Sequence, residues 1–146
     1  MIALVQRVSR AQVTVADDVR GRIGRGLLVF VCAEPADRDE HAIKLVDRLL
    51  KLRVFADDAG KMNRSVQDVQ GSLLIISQFT LAADTAGGNR PSFSGAAPPT
   101  LGRALYEVVL RVARERHPSV QGGEFGADMQ IELVNDGPVT IPLRVT

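Results

Sequence analysis

Two hydroxyls and an amide follow a short apolar run near the middle of the chain. Leu73 Leu74 Ile75 Ile76 gives way to Ser77, Gln78 and Thr80, with Phe79 between them. The apolar half reads as a strand buried on both faces. Small polar groups at its end are delivered to the rim of a sheet, where ligand sites commonly lie. Hydroxyls and an amide there can bind a ligand or, with a base in reach, supply a nucleophile. The plain alternative is a Ser or Thr side chain capping the next turn. A base is hard to find. His41 falls in the first turn of a predicted helix and His117 at the end of another, and both read as solvent-facing helix-terminus residues. No Asp or Glu lies within Ser77–Leu81, although Asp84 and Asp136 are near enough in sequence to stay in consideration. A hydroxyl without a base is a poor nucleophile at neutral pH.

A second unusual segment lies near the C-terminus. Met129, Ile131, Leu133 and Val139, Ile141, Leu143, Val145 form two alternating runs around Asn135 Asp136 Gly137 Pro138. The pattern predicts a hairpin with its tip at Asp-Gly. An ordinary turn would account for Asp-Gly alone, but Pro138 removes a ladder donor and restricts Gly137. The tip is then rigid and exposes main-chain carbonyls, with no side chain at Gly137 to hide them.

The elements that must hold these segments fit one domain, residues 1–146, long enough to bury a core without metal or disulfide. Hydrophobic residues at 45% and charged residues at 24% are ordinary globular values and argue against disorder. The single cysteine, Cys32, sits inside the apolar run Leu27–Ala33 and reads as a buried small hydrophobe. With one Cys, two distant His and no H-x-x-x-H or C-x-x-C spacing, no metal site is expected. No Walker or dinucleotide pattern appears, so no cofactor is expected either. A net charge of +1 does not announce a nucleic-acid binder, and the arginines read as solvated surface. No apolar run approaches the roughly 18 residues of a membrane span and no signal region follows Met1, which predicts a soluble, cytoplasmic protein without a membrane partner.

In chain order, Ile2–Val8 and Gln12–Val15 read as two strands, Val19–Ile23 as a third and Leu27–Cys32 as a buried fourth. Asp37 with Glu40 matches a capping box before a helix carrying Ile43, Val46, Leu49 and Leu50. Val54 Phe55 suggests a short strand, and Asp57–Gly60 a turn. Residues 84–100 form a long polar loop containing Asn89 Arg90 Pro91 Ser92 Phe93 Ser94. Leu101, Leu105, Val108, Val109 and Val112 mark a second helix that His117 Pro118 should end.

The chain resembles the D-aminoacyl-tRNA deacylase family. Ser77 Gln78 Phe79 Thr80 Leu81 and Asn135 Asp136 Gly137 Pro138 Val139 Thr140 look like its two signature motifs. Met1–Val8 and Arg90 Pro91 Ser92 Phe93 Ser94 are similar to it too, so the likeness runs end to end. Neither motif departs from the pattern, and with Ser77 and Phe79 the chain resembles the D-specific branch rather than deacylases for other mischarged tRNAs. The resemblance implies an α+β fold, with mixed, largely antiparallel sheets curling toward a barrel and two main helices packed outside, in agreement with the count of elements above.

It further implies an editing hydrolase that cleaves D-aminoacyl-tRNA to free amino acid and tRNA, working as a homodimer. Gly137-Pro138 of one subunit, its peptide cis, would enter the pocket beside Ser77, Gln78, Phe79 and Thr80 of the other. Two parallel carbonyls would hold the substrate's amino group and leave no room for an L side chain. Arg7 would support the Gly-Pro element, Phe125 and Met129 would lie near the terminal adenosine, and the neighbouring ribose hydroxyl of the tRNA would activate attack. Glycine has no side chain to exclude, so some hydrolysis of glycyl-tRNA is expected. Thr80 as a true nucleophile is the sharper alternative. A non-catalytic RNA-binding module and a small-molecule esterase are the readings from other classes.

Overall fold

The computed structural model describes Met1–Thr146. In chain order the elements are β1 (Ile2–Val15), β2 (Asp18–Ile23), β3 (Gly26–Cys32), α1 (Asp39–Lys51), β4 (Phe55–Ala56), β5 (Met62–Arg64), β6 (Ser72–Ser77), α2 (Pro99–Arg116), β7 (Val120–Gly122) and β8 (Gln130–Arg144). A short 3-10 turn, Phe79–Ala82, follows β6. Six strands make one sheet in the order β2-β1-β3-β6-β7, with β8 also on β1, while β4 and β5 pair apart from it. β1 is antiparallel to β2, β3 and β8, whereas β3, β6 and β7 run parallel. β2 leans back over the far edge, where the Arg22 main-chain N–H donates to the Gln121 side chain at 2.8 Å. The sheet is thereby nearly closed into a barrel, and the α+β architecture expected from sequence is the one observed.

Alternation along the strands sorts the core into two clusters. Val5, Leu27, Val29, Leu73 and Ile75 face α1 and α2 and pack on Leu45, Leu49, Leu105 and Val109. Leu28, Leu74 and Ile76, the intervening residues of β3 and β6, pack with Val8, Val13 and Ile23 on the other face. β6 is apolar on both faces because both faces are covered. Each such buried side chain stabilises the fold by about 1.5–3 kcal/mol relative to exposure.

Several sequence expectations change in the structure. The two strands foreseen in Ile2–Val15 are one, continuous through the exposed Ser9 and Arg10. The foreseen hairpin is absent, since both of its arms pair with β1 and not with each other. Asn135 lies opposite Val8 and Thr140 opposite Gln6, so residues 136–139 stand out as a bulge while the strand keeps its direction. One long partner serves both apolar runs, and a reversal at Asp-Gly would have left half of β1 unpaired.

The N-cap of α1 is Arg38, whose N–H donates to His41 Nδ1 at 2.9 Å. Asp37 does not cap. It accepts from the Met1 α-ammonium at 2.9 Å and from the Glu34 N–H at 2.7 Å, because the opposite charge draws it inward. His117 is 4% exposed rather than solvent-facing. Its Nε2 lies 2.7 Å from the Gly71 carbonyl, where the end of α2 meets the start of β6. The strand β7 and the 3-10 turn were too short to leave a period in the sequence.

Candidate active site

Ser77 ends β6 opposite Val31 of β3, and the next N–H, of Gln78, donates to the Val31 carbonyl at 2.7 Å. The chain then turns into Phe79–Ala82, so a strand held on both sides fixes where that turn starts. The first N–H groups of a helical turn lack internal acceptors, and those of Phe79 and Thr80 have none among the turn and cap bonds. Gln78 Nε2 donates to Thr80 Oγ1 at 2.6 Å. The Thr80 hydroxyl therefore meets a donor amide, and no imidazole or carboxylate hydrogen-bonds to it. Phe79 is 56% exposed and sits edge-on to Phe93, ring centres 5.2 Å apart. The Cys32 thiol makes weak contacts with the Phe79 and Ala33 carbonyls at 3.5 and 3.4 Å. Burial first, and Glu34 second, push its pKa up, so it stays a neutral thiol and a poor nucleophile.

Beside this turn opens a cavity of about 640 Å³, mostly apolar. Ile76–Phe79 form one wall, the start of α2 at Pro98, Pro99 and Gly102 a second, and Phe125–Met129 a third. Tyr106 ties the walls together. Its hydroxyl donates to the Ile75 carbonyl at 2.8 Å and accepts the Gly123 N–H at 3.1 Å. Burial raises the phenol's pKa, which keeps it protonated for that role. Gly123 packs close to the Met129 side chain, since a Cβ there would lie 2.7 Å from Met129 Sδ. The Phe125 ring lies 6.2 Å from Tyr106 and carries the Arg103 guanidinium over its face at 4.9 Å.

The structure brings Ser77, Gln78, Phe79, Phe125 and Met129 together around this cavity. Thr80 is one residue beyond its wall, exposed. Gly137, Pro138 and Arg7 are elsewhere and line none of it. The Gly137-Pro138 peptide is cis, both residues are exposed, and Gly137 has φ +140°. Asn135 closes the neck of the bulge: its Nδ2 donates to Thr140 Oγ1 at 2.8 Å and its Oδ1 accepts the Val139 N–H at 3.1 Å. Arg7 braces the bulge from below. Its Nε donates to the Asp136 carbonyl at 2.9 Å and its Nη1 to the Val54 carbonyl at 2.7 Å. Sequence reasoning missed Tyr106. The signal was there, because the chain's single tyrosine falls on the apolar face of α2, and a buried phenol needs partners.

No group of three His, Cys, Asp or Glu side chains is placed to hold a metal ion.

The family model described as D-Tyr-tRNA(Tyr) deacylase matches residues 4–144. The D-aminoacyl-tRNA deacylase of Methylibium petroleiphilum is 70% identical over 145 residues, 99% of this chain and 95% of the relative. That of Aromatoleum aromaticum is 66% identical over the same shares. A solved structure named c-Myc DNA Unwinding Element Binding Protein superposes with a TM-score of 0.93 at 41% identity, covering 99% of this chain and 98% of the other. A family model over nearly the whole chain, a matching fold and relatives of this identity and coverage together show that the chain belongs to the D-Tyr-tRNA(Tyr) deacylase family.

Proposed function

We propose that residues 1–146 act as one domain, a carboxylic ester hydrolase of the cytoplasm that removes D-amino acids from tRNA as a proofreading step in translation. The observation that carries this reading is an apolar cavity beside Ser77–Thr80 in a chain of the deacylase family. In the reaction, water attacks the ester carbonyl, the carbon–oxygen bond to the ribose breaks, and the free amino acid and tRNA leave. The N–H groups of Phe79 and Thr80, at the start of the 3-10 turn, are the donors that suit the oxyanion that forms in between. The vicinal ribose hydroxyl of the tRNA assists the attack, because the Thr80 hydroxyl is bonded to the Gln78 amide and no imidazole or carboxylate hydrogen-bonds to Ser77–Thr80.

Chiral selection falls to Gly137-Pro138 acting in trans. The bulge is exposed and lines none of its own chain's cavity. A second copy is what brings its carbonyls to a substrate, so the working form is a homodimer. In that dimer the clamp grips the substrate's amino group and leaves no space on the L side. Phe125 and Met129 flank the terminal adenosine. Glycyl-tRNA, with nothing to exclude, is hydrolysed too.

Thr80→Ala tests the chemistry. Thr80 Oγ1 is exposed and bonded to Gln78 Nε2, so its loss should lower the single-turnover rate for D-tyrosyl-tRNA by about tenfold or less, the scale of one positioning contact. Complete loss of turnover in a folded Thr80→Ala variant would instead make Thr80 the nucleophile.

A further inference from the structure

Beside the cavity, next to Gly102 and over Phe125 of its wall, stands a cation without an acidic partner. Arg103, exposed in the second turn of α2, lays its guanidinium over the Phe125 ring at 4.9 Å. It takes part in no ion pair, whereas Arg20 faces Glu124 at 3.6 Å and the Met1 ammonium is matched by Asp37 and Glu34. Gly102, the residue before it, lies close under Phe125: a Cβ there would sit 3.4 Å from Cζ. Asp128 is the one carboxylate on the cavity wall. An arginine held over an aromatic ring keeps its outward N–H groups free and loses less freedom when an anion arrives.

We propose that Arg103 binds a backbone phosphate of the tRNA 3′ end, the one joining the terminal nucleoside to the nucleotide before it. This rests on the reading above, in which Phe125 flanks the terminal adenosine. A nucleoside against Phe125 presents its 5′ phosphate at the rim, within the reach of a guanidinium stacked on that same ring. Planar bidentate donation matches phosphate oxygens. Asp128 disfavours a second anion on the wall and so helps confine the phosphate to the Arg103 side.

The test pairs substrates with and without that phosphate. D-tyrosyl-tRNA, the 3′ ester of 5′-AMP and the 3′ ester of adenosine are given to the wild type, Arg103→Gln and Arg103→Lys. Arg103→Gln should raise KM about five- to tenfold for the two phosphate-bearing esters, with kcat held, and leave the adenosine ester unchanged. Arg103→Lys should recover much of the loss. Binding of uncharged tRNA is measured alongside, against salt. Arg103→Gln should weaken it by a similar factor and reduce the slope of log affinity on log salt by about 0.7, one phosphate's worth on a single strand. Equal effects on all three esters would make Arg103 a packing residue only and overturn the proposal, as would unchanged tRNA binding. Absence of any D-ester hydrolysis by the wild type would sink the hydrolase reading, and the tRNA-binding comparison would still decide for or against Arg103.

Discussion

Alanine at position 137 is expected to cut turnover of D-tyrosyl-tRNA by about a hundredfold or more, the scale of a 1 Å misplacement at a reacting centre. Gly137 has φ +140°, a region that side chains rarely adopt. A Cβ would also lie 2.8 Å from Val139 Cγ2, 2.9 Å from the Val139 nitrogen and 3.1 Å from Arg7 Nη2. The bulge has to move, and the Arg7 bond to the Asp136 carbonyl moves with it. The strain should cost about 1–3 kcal/mol. Since the bulge is exposed, most of it is relieved by displacement outward, away from the core, so the fold should survive while the carbonyls lose their aim. Thermal unfolding and single-turnover hydrolysis on one preparation check both halves. Retained turnover in Gly137→Ala would remove the bulge from the chiral site.

The largest effect on stability is expected at Gly26, opposite Ser72 where β3 and β6 begin to pair. A Cβ at Gly26 would fall 1.9 Å from the Ser72 carbonyl oxygen and 2.7 Å from its nitrogen. Both obstacles are main chain, so no rotamer relieves them and the two central strands have to part. The bond from the Ser72 N–H to the Arg25 carbonyl, 3.0 Å, is lost with the contact. Gly26→Ala should therefore cost at least about 3 kcal/mol, at the high end for overpacking. A domain of this size holds only about 5–15 kcal/mol in total. Gly24→Ala is the control: nothing lies within 4 Å of a Cβ there, and the change should stay within about 0.5 kcal/mol. Denaturant midpoints of the two variants against wild type measure the contrast.

The order of elements and the composition of the core were legible because they rest on period and apolarity. The unbroken run of β6 announced a strand covered on both faces, and helical spacing marked both helices. Pairing partners were less legible. Alternation on either side of Asn135–Pro138 is the same for a hairpin and for one bulged strand, and only the length of β1 decides between them. Burial of His117 and the inward turn of Asp37 depend on groups 46 and 36 residues away in sequence, Gly71 and Met1, which no local pattern reports. At the site, Ser77, Gln78 and Phe79 stood out because polar groups interrupt a core strand, whereas Tyr106 was hidden by its place on an ordinary amphipathic face. The separation of Gly137-Pro138 from the cavity of its own chain leaves no mark in period or composition, and only the motif resemblance pointed to it. That separation is what turns the proposed selection into an act between two subunits.

Hydrolysis of D-tyrosyl-tRNA beside L-tyrosyl-tRNA and glycyl-tRNA, followed at the ester bond with EDTA present, tests the proposed activity most directly. Loss of the D ester and, more slowly or as fast, of the glycyl ester, with the L ester intact, is the expected result. Equal loss of the D and L esters would contradict chiral selection by Gly137-Pro138, and stability of all three would contradict the hydrolase itself.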